Sequence, residues 1–122
     1  MKIKSLLFVI AIILLQWSCK KDSETNNFKF TSISGVKSGT TGIVTFMWTD
    51  SQNSNWNVIV KNPNGTTRTS FNTTDIETQV SSLGLDSTYT FGVTGGIKPN
   101  QNGTFNARIA TTGDVLITNI KP

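Results

Sequence analysis

The chain has 122 residues, enough for one ordinary domain and too few for two. Its net charge of +4 comes from 11 basic and 7 acidic side chains. The basic residues Lys29, Lys37, Lys61, Arg68, Lys98, Arg108 and Lys121 are scattered along the chain, which argues against nucleic acid as a partner. There is no histidine and only one cysteine, so Ser–His and Cys–His nucleophile pairs are excluded, together with the commonest metal ligand.

Lys2 and Lys4 precede an apolar run from Leu6 to Leu15, which is ten residues long. A membrane-spanning helix needs about 20 apolar residues, so this run reads as a secretory signal rather than a span. Removing residues 1–18 lowers the charge to +2, because two of the lysines leave with them. Cys19 has no partner for an intramolecular disulfide, and a free thiol would be a liability in an exported protein. Ser18 before Cys19 resembles the lipobox of bacterial lipoprotein signal peptides. The looser Gln16-Trp17 and the run Ser18-Cys19-Lys20-Lys21-Asp22 resemble lipoproteins of the Bacteroidetes. That resemblance implies acylation of Cys19 and attachment to a membrane through palmitate-type chains. Residues 19–27 read as the lipidated cysteine and a flexible tether, since KKDSETNN has no hydrophobic period. Asp22 and Glu24 resemble the acidic signal for the outer face of the outer membrane, so surface exposure is favoured over the periplasmic face.

The remaining residues, 28–122, are rich in Thr, Asn, Ser and Gly, with short β-prone runs between them. Phe28 to Val36 reads as a first strand, and Ile43 to Thr49 as a second with Val44, Phe46 and Trp48 on one face. Trp56, Val58 and Val60 define a third strand, and Asn62-Pro63-Asn64-Gly65 a turn. Thr66 to Phe71 and Ile76 to Val80 follow. Tyr89, Phe91 and Val93 alternate with polar or small residues in a strand with one buried face. Gly95 to Gly103 is a long loop, and Phe105, Ala107 and Ile109 mark a last clear strand. Val115 to Ile120 alternates again, as an extension or supplement of it. About seven short strands and no helix predict an all-β, two-sheet sandwich.

The placing of Trp48 at the end of the second strand, with Leu83 and Tyr89 around a short turn, resembles the fibronectin type III family. The resemblance covers about Phe28 to Thr112 and implies a seven-stranded immunoglobulin-like sandwich. It also implies that the Tyr89 hydroxyl turns back to nearby backbone. Leu85 stands where the family usually has proline. Trp48, Tyr89 and Phe91 are therefore expected in the core; Trp56 is expected there too, with partial exposure as its alternative, and Phe71 and Phe105 are left open, so Trp56, Phe71 and Phe105 are the candidates for exposed aromatics.

The domain carboxylates Asp50, Asp75, Glu77, Asp86 and Asp114 form no calcium loop and no evident acid–base pair, and Asp86 reads as a cap on the turn before Tyr89. No catalytic, cofactor-binding or metal-binding residue is nominated, and a non-enzymatic protein is expected. Asp86-Ser87-Thr88 resembles the short motif on which Bacteroidetes attach O-linked glycans, which would make Ser87 an acceptor. The leading expectation is a lipid-anchored outer-membrane module that uses its loops, the one at 95–103 above all, to bind a protein or glycan in the cell envelope or outside the cell. One alternative is a glycan-binding accessory lipoprotein of a polysaccharide-uptake system, which needs Trp56, Phe71 or Phe105 to face solvent. The other is a structural or assembly subunit that offers Val115 to Ile120 as a free edge.

Overall fold

The computed structural model describes residues 25–122. The expected leader, Cys19 and residues 20–24 of the expected tether lie outside the described residues. The described residues form eight strands: β1 (Lys29–Ser38), β2 (Thr41–Thr49), β3 (Trp56–Lys61), β4 (Thr67–Thr73), β5 (Glu77–Gly84), β6 (Thr88–Gly95), β7 (Asn102–Ile109) and β8 (Val115–Lys121). They build two antiparallel sheets, ordered β1-β2-β5 and β4-β3-β6-β7-β8. An all-β sandwich is thus present, but with eight strands rather than seven. Residues 115–121 form a strand of their own, paired with β7 on the rim of the larger sheet.

The last three residues of the expected tether, 25–27, make contacts with the domain. Gln101 is buried, and its carboxamide donates from Nε2 to the Thr25 carbonyl at 2.6 Å while its Oε1 accepts from the Asn27 amide at 2.6 Å. Asn26 adds a bond from its side chain to the Asn102 carbonyl at 3.0 Å. Residues 25–27 are therefore bonded to the domain, because a buried amide group needs partners that this segment supplies.

Alternation places one set of apolar side chains between the sheets. In β2, Val44, Phe46 and Trp48 are buried, and in β6 Tyr89, Phe91 and Val93 are. Aromatic contacts cross the interface: Phe46 meets Phe91 edge-on at 5.6 Å and Phe105 at 5.1 Å, while Trp48 meets Trp56 at 5.9 Å. Phe91 and Phe105, neighbours in the larger sheet, stack at 4.8 Å. Rings that pack this densely dominate the apolar area removed from water. Trp48 carries a cost within this arrangement, because its indole N–H is buried with no hydrogen-bond partner among the described residues.

Three irregularities change the parity of strands, and those in β1 and β5 let apolar residues three apart share the interior. The β1–β2 register shifts between Phe30 and Ser32, which lets Phe30 and Ile33 both pack on the core. Ser82, at φ 60°, lies where β5 carries two residues opposite Ile43, and Val80 and Leu83 are both buried. Asn119, at φ 53°, occupies a similar place where β8 shifts against β7. Each is a β-bulge, an extra residue that turns the following side chain to the other face.

Candidate functional site

The loops gather at the two ends of the sandwich. Residues 50–55, 74–76 and 96–101 lie at the end where the chain enters, since Lys29 pairs with Thr49, and Trp56 with both Thr73 and Gly95. Asp50 organises this end. It is buried, and its Oδ1 accepts from the Gln52 amide at 2.9 Å, a local turn that aspartate favours. Its Oδ2 accepts from the Trp56 indole N–H at 2.9 Å and from Asn53 Nδ2 at 2.6 Å.

Asn53 carries the order across to the β6–β7 loop. Its Oδ1 accepts from the amides of Ile97 at 2.8 Å and Lys98 at 2.7 Å, and its Nδ2 also reaches the Lys98 carbonyl at 3.2 Å. Gly95 is needed for this approach: a Cβ there would lie 2.0 Å from Asn53 Nδ2 and 2.6 Å from the Lys98 carbonyl oxygen. Gln101 closes the loop by donating its backbone N–H to the Lys98 carbonyl at 3.0 Å. The loop at 96–101 is thus clamped from residue 53 on one side and from the N-terminal segment on the other.

Beside this clamp opens a cup of about 650 Å³, lined by Asn55, Asn72, Thr73, Thr74 and Gly96. All of its side chains are amides or hydroxyls, and none is charged. Asn72 is oriented by Asn57, whose Nδ2 donates to Asn72 Oδ1 at 3.1 Å, and Thr73 Oγ1 accepts from the Asp75 amide at 2.9 Å. The Asn55 carboxamide makes no hydrogen bond to another described residue and lies on the exposed rim. Such a lining can both donate and accept, and it offers nothing to select an ion.

The residues singled out from the sequence fall in different places. Trp56 is 4 % exposed and Phe105 0 %, so neither is an exposed platform. Trp56 starts a strand beside a polar loop, but Asp50 satisfies its N–H and allows the ring to turn inward. Phe105 faces the interior because it stacks on Phe91. Phe71 is half-buried and packs against the core from β4. Cys19 lies outside the described residues. Ser87 is half-buried on the turn between β5 and β6, at the opposite end of the sandwich from the cup.

Asp86 does not cap its own turn. Its carboxylate accepts from the Thr111 amide at 3.0 Å and from the Thr111 hydroxyl, and Arg108 stands 3.6 Å away. It ties the turn before β6 to the loop after β7, with its own backbone at φ 61°. The two Thr111 bonds, and secondarily Arg108, hold its carboxyl below the usual carboxylate range. Among the described residues no group of three or more His, Cys, Asp or Glu converges as for a metal ion, and no helix is long and apolar enough to cross a membrane.

Asp50, Asn53, Asn55 and Asn72 were not singled out by sequence reasoning. The available signal was the density of side chains able to form local turns, Asp50-Ser51-Gln52-Asn53, between two aromatic strands. What these features define is an antiparallel β-sandwich with an ordered loop end and a neutral polar cup. Compared with known family models, curated proteins and solved structures, the chain matches none.

Proposed function

We propose that the chain is a membrane-tethered, non-enzymatic binding module of the fibronectin type III kind, with its recognition surface at the clamped loop end. The first seven strands support the type: β1-β2-β5 faces β4-β3-β6-β7, and the hydroxyl of Tyr89 accepts from the Gly84 amide at 2.9 Å. The tether reading rests on the lipobox-like sequence around Cys19, and on it rests placement at the bacterial outer membrane.

The observation that carries the binding reading is the cup of Asn55, Asn72, Thr73 and Thr74, set against a loop whose conformation Asn53 fixes. A preordered loop forfeits little entropy when a ligand arrives, and unpaired amide groups gain by the contact. Photo-cross-linking in cells tests this, with the photoreactive residue at Thr74 or, as the comparison, at Thr88 on the far end. Adducts specific to position 74 are expected. An equal pattern at both positions would defeat the reading. Palmitate incorporation lost on Cys19→Ala tests the tether, and protease treatment of whole cells distinguishes the two faces of the outer membrane.

A second reading, glycan binding, draws on the same lining, because amides and hydroxyls match sugar hydroxyls in both donor and acceptor capacity. It no longer has Trp56 or Phe105 as stacking surfaces. Binding of the full chain to a glycan array, abolished by Asn72→Ala, is the expected result under this reading.

A further inference from the structure

The anchor end carries a second feature beside the cup. Ile97 is 62 % exposed and Ile120 54 % exposed, although both are large apolar side chains. Each is followed directly by an exposed lysine, Lys98 and Lys121, and Lys29 is exposed at the start of β1. These residues lie towards the end of the sandwich at which the chain enters, Ile120 beside Phe30 and Ile33 of β1. Gln101 bonds Thr25 through its side chain and Lys98 through its backbone. Lys121 pairs with Thr104, and a Cβ on Gly103 would lie 2.7 Å from the Lys121 carbonyl oxygen. Among the described residues, the acidic side chains of this end are set apart from these lysines: Asp50 is buried, while Asp75 and Glu77 sit on the β4–β5 side.

We infer that this rim, Ile97 and Ile120 with Lys29, Lys98 and Lys121, rests on the anionic lipid surface of the membrane to which the chain is tethered. The inference rests on the tether reading and names a partner for the same end of the domain. Cys19 and Thr25 are six residues apart, and an extended chain reaches at most about 3.3–3.6 Å per residue, or about 20 Å in all. An acylated Cys19 therefore keeps Thr25, and with it this end of the domain, within about 20 Å of the bilayer. At so short a span the effective concentration of lipid is high, so contacts too weak to recruit a free protein suffice to orient a tethered one. Isoleucine side chains enter the boundary between headgroups and acyl chains, and the lysines beside them meet lipid phosphates. The cup shares Gly96 with the loop that carries Ile97, so the two surfaces adjoin.

The test uses the full acylated chain in vesicles of phosphatidylethanolamine and phosphatidylglycerol. Trp48 and Trp56 are buried, so the unaltered protein supplies the fluorescence background. Ile97→Trp and Ile120→Trp place reporters on the rim. Leu116→Trp places one on β8 towards the other end, at a residue 57 % exposed. With bromine on the lipid acyl chains, emission from positions 97 and 120 is expected to be quenched several-fold more than from position 116. The difference is expected to shrink when Lys29, Lys98 and Lys121 are all changed to glutamate. Equal quenching at rim and control positions in protein that carries palmitate overturns the orientation while leaving the tether standing. Absence of palmitate in the same preparation overturns the tether, and the orientation with it. Circular dichroism of each variant confirms that the sandwich is intact.

Discussion

The carboxylate of Asp50 receives the indole N–H of Trp56 at 2.9 Å, and both groups are buried. This one bond lets a tryptophan at the mouth of the sandwich turn its ring into the core and keep its polar atom satisfied. Trp48, 5.9 Å away by ring centroids, buries its ring without that provision.

Removal of the acceptor is expected to be costly. Asp50→Ala strips partners from Trp56, Asn53 and the Gln52 amide together. Hydrogen bonds to charged groups contribute about 1.5–3 kcal/mol, and a buried donor left unpaired adds its own penalty. A loss of roughly 3 kcal/mol is expected in urea denaturation followed by tryptophan fluorescence. A loss under about 1 kcal/mol would show that water replaces the carboxylate readily.

Asn53→Ala separates the loop from its clamp while leaving the strands paired. Amide exchange at Ile97 and Lys98, whose N–H groups end on Asn53 Oδ1, is expected to accelerate by more than tenfold. Exchange at Phe91 and Val93, inside β6, is expected to stay as it was. Uniform acceleration would mean that the substitution acts on global stability instead.

Tyr89→Phe isolates the hydroxyl that meets the Gly84 amide. The ring, its burial and its contact with Arg68, whose guanidinium carbon lies 5.5 Å from the ring centroid, are all kept. The expected loss is about 1 kcal/mol, the net worth of one hydrogen bond, with an unchanged denaturant slope. Phe91→Ala, which deletes a fully buried ring, is expected to cost about 3–5 kcal/mol by comparison.

Asp86 gives the fold a dependence on pH. Its folded-state carboxyl titrates below the ordinary range, chiefly through Thr111 and then through Arg108. A depressed carboxyl stabilises the fold fully above the unfolded value, near about 4, and the contribution fades as pH falls through the folded value. Asp86→Asn should therefore be less stable than the parent at neutral pH, with the gap closing as the solution is acidified below about pH 4. Melting curves across that range check it. A gap that stays constant with pH would assign the effect to geometry rather than charge.

The strand pattern was legible where alternation runs unbroken. The buried sets Val44-Phe46-Trp48 and Tyr89-Phe91-Val93 follow from period two alone, and the Asn62 to Gly65 turn from its residue types. It was not legible across the bulges. Val80 and Leu83 are three apart, so sequence reading ends a strand at 80 and starts a turn at 83, whereas Ser82 at φ 60° carries β5 through both. In β8 the bulge at Asn119 leaves Ile120 exposed, and the run expected at 115–120 differs from the strand by a single residue. The loop end was legible in outline only, because side chains from residues 53 and 97 meet across a distance that no local pattern encodes. Trp56, expected in the core with partial exposure as the alternative, and Phe105, left open, are decided in that way: a carboxylate six residues away in one case, and a ring across the ladder in the other, turn them inward.

The bulge at Asn119 has a bearing on how copies of the chain coexist. β8 is the outer strand of the larger sheet and carries the exposed Leu116. An unbroken rim of that kind invites another rim to zip onto it. Here the zip has only residues 115–118 to run along before the backbone at 119 turns out of line. Pairing along this border is therefore confined to those four residues.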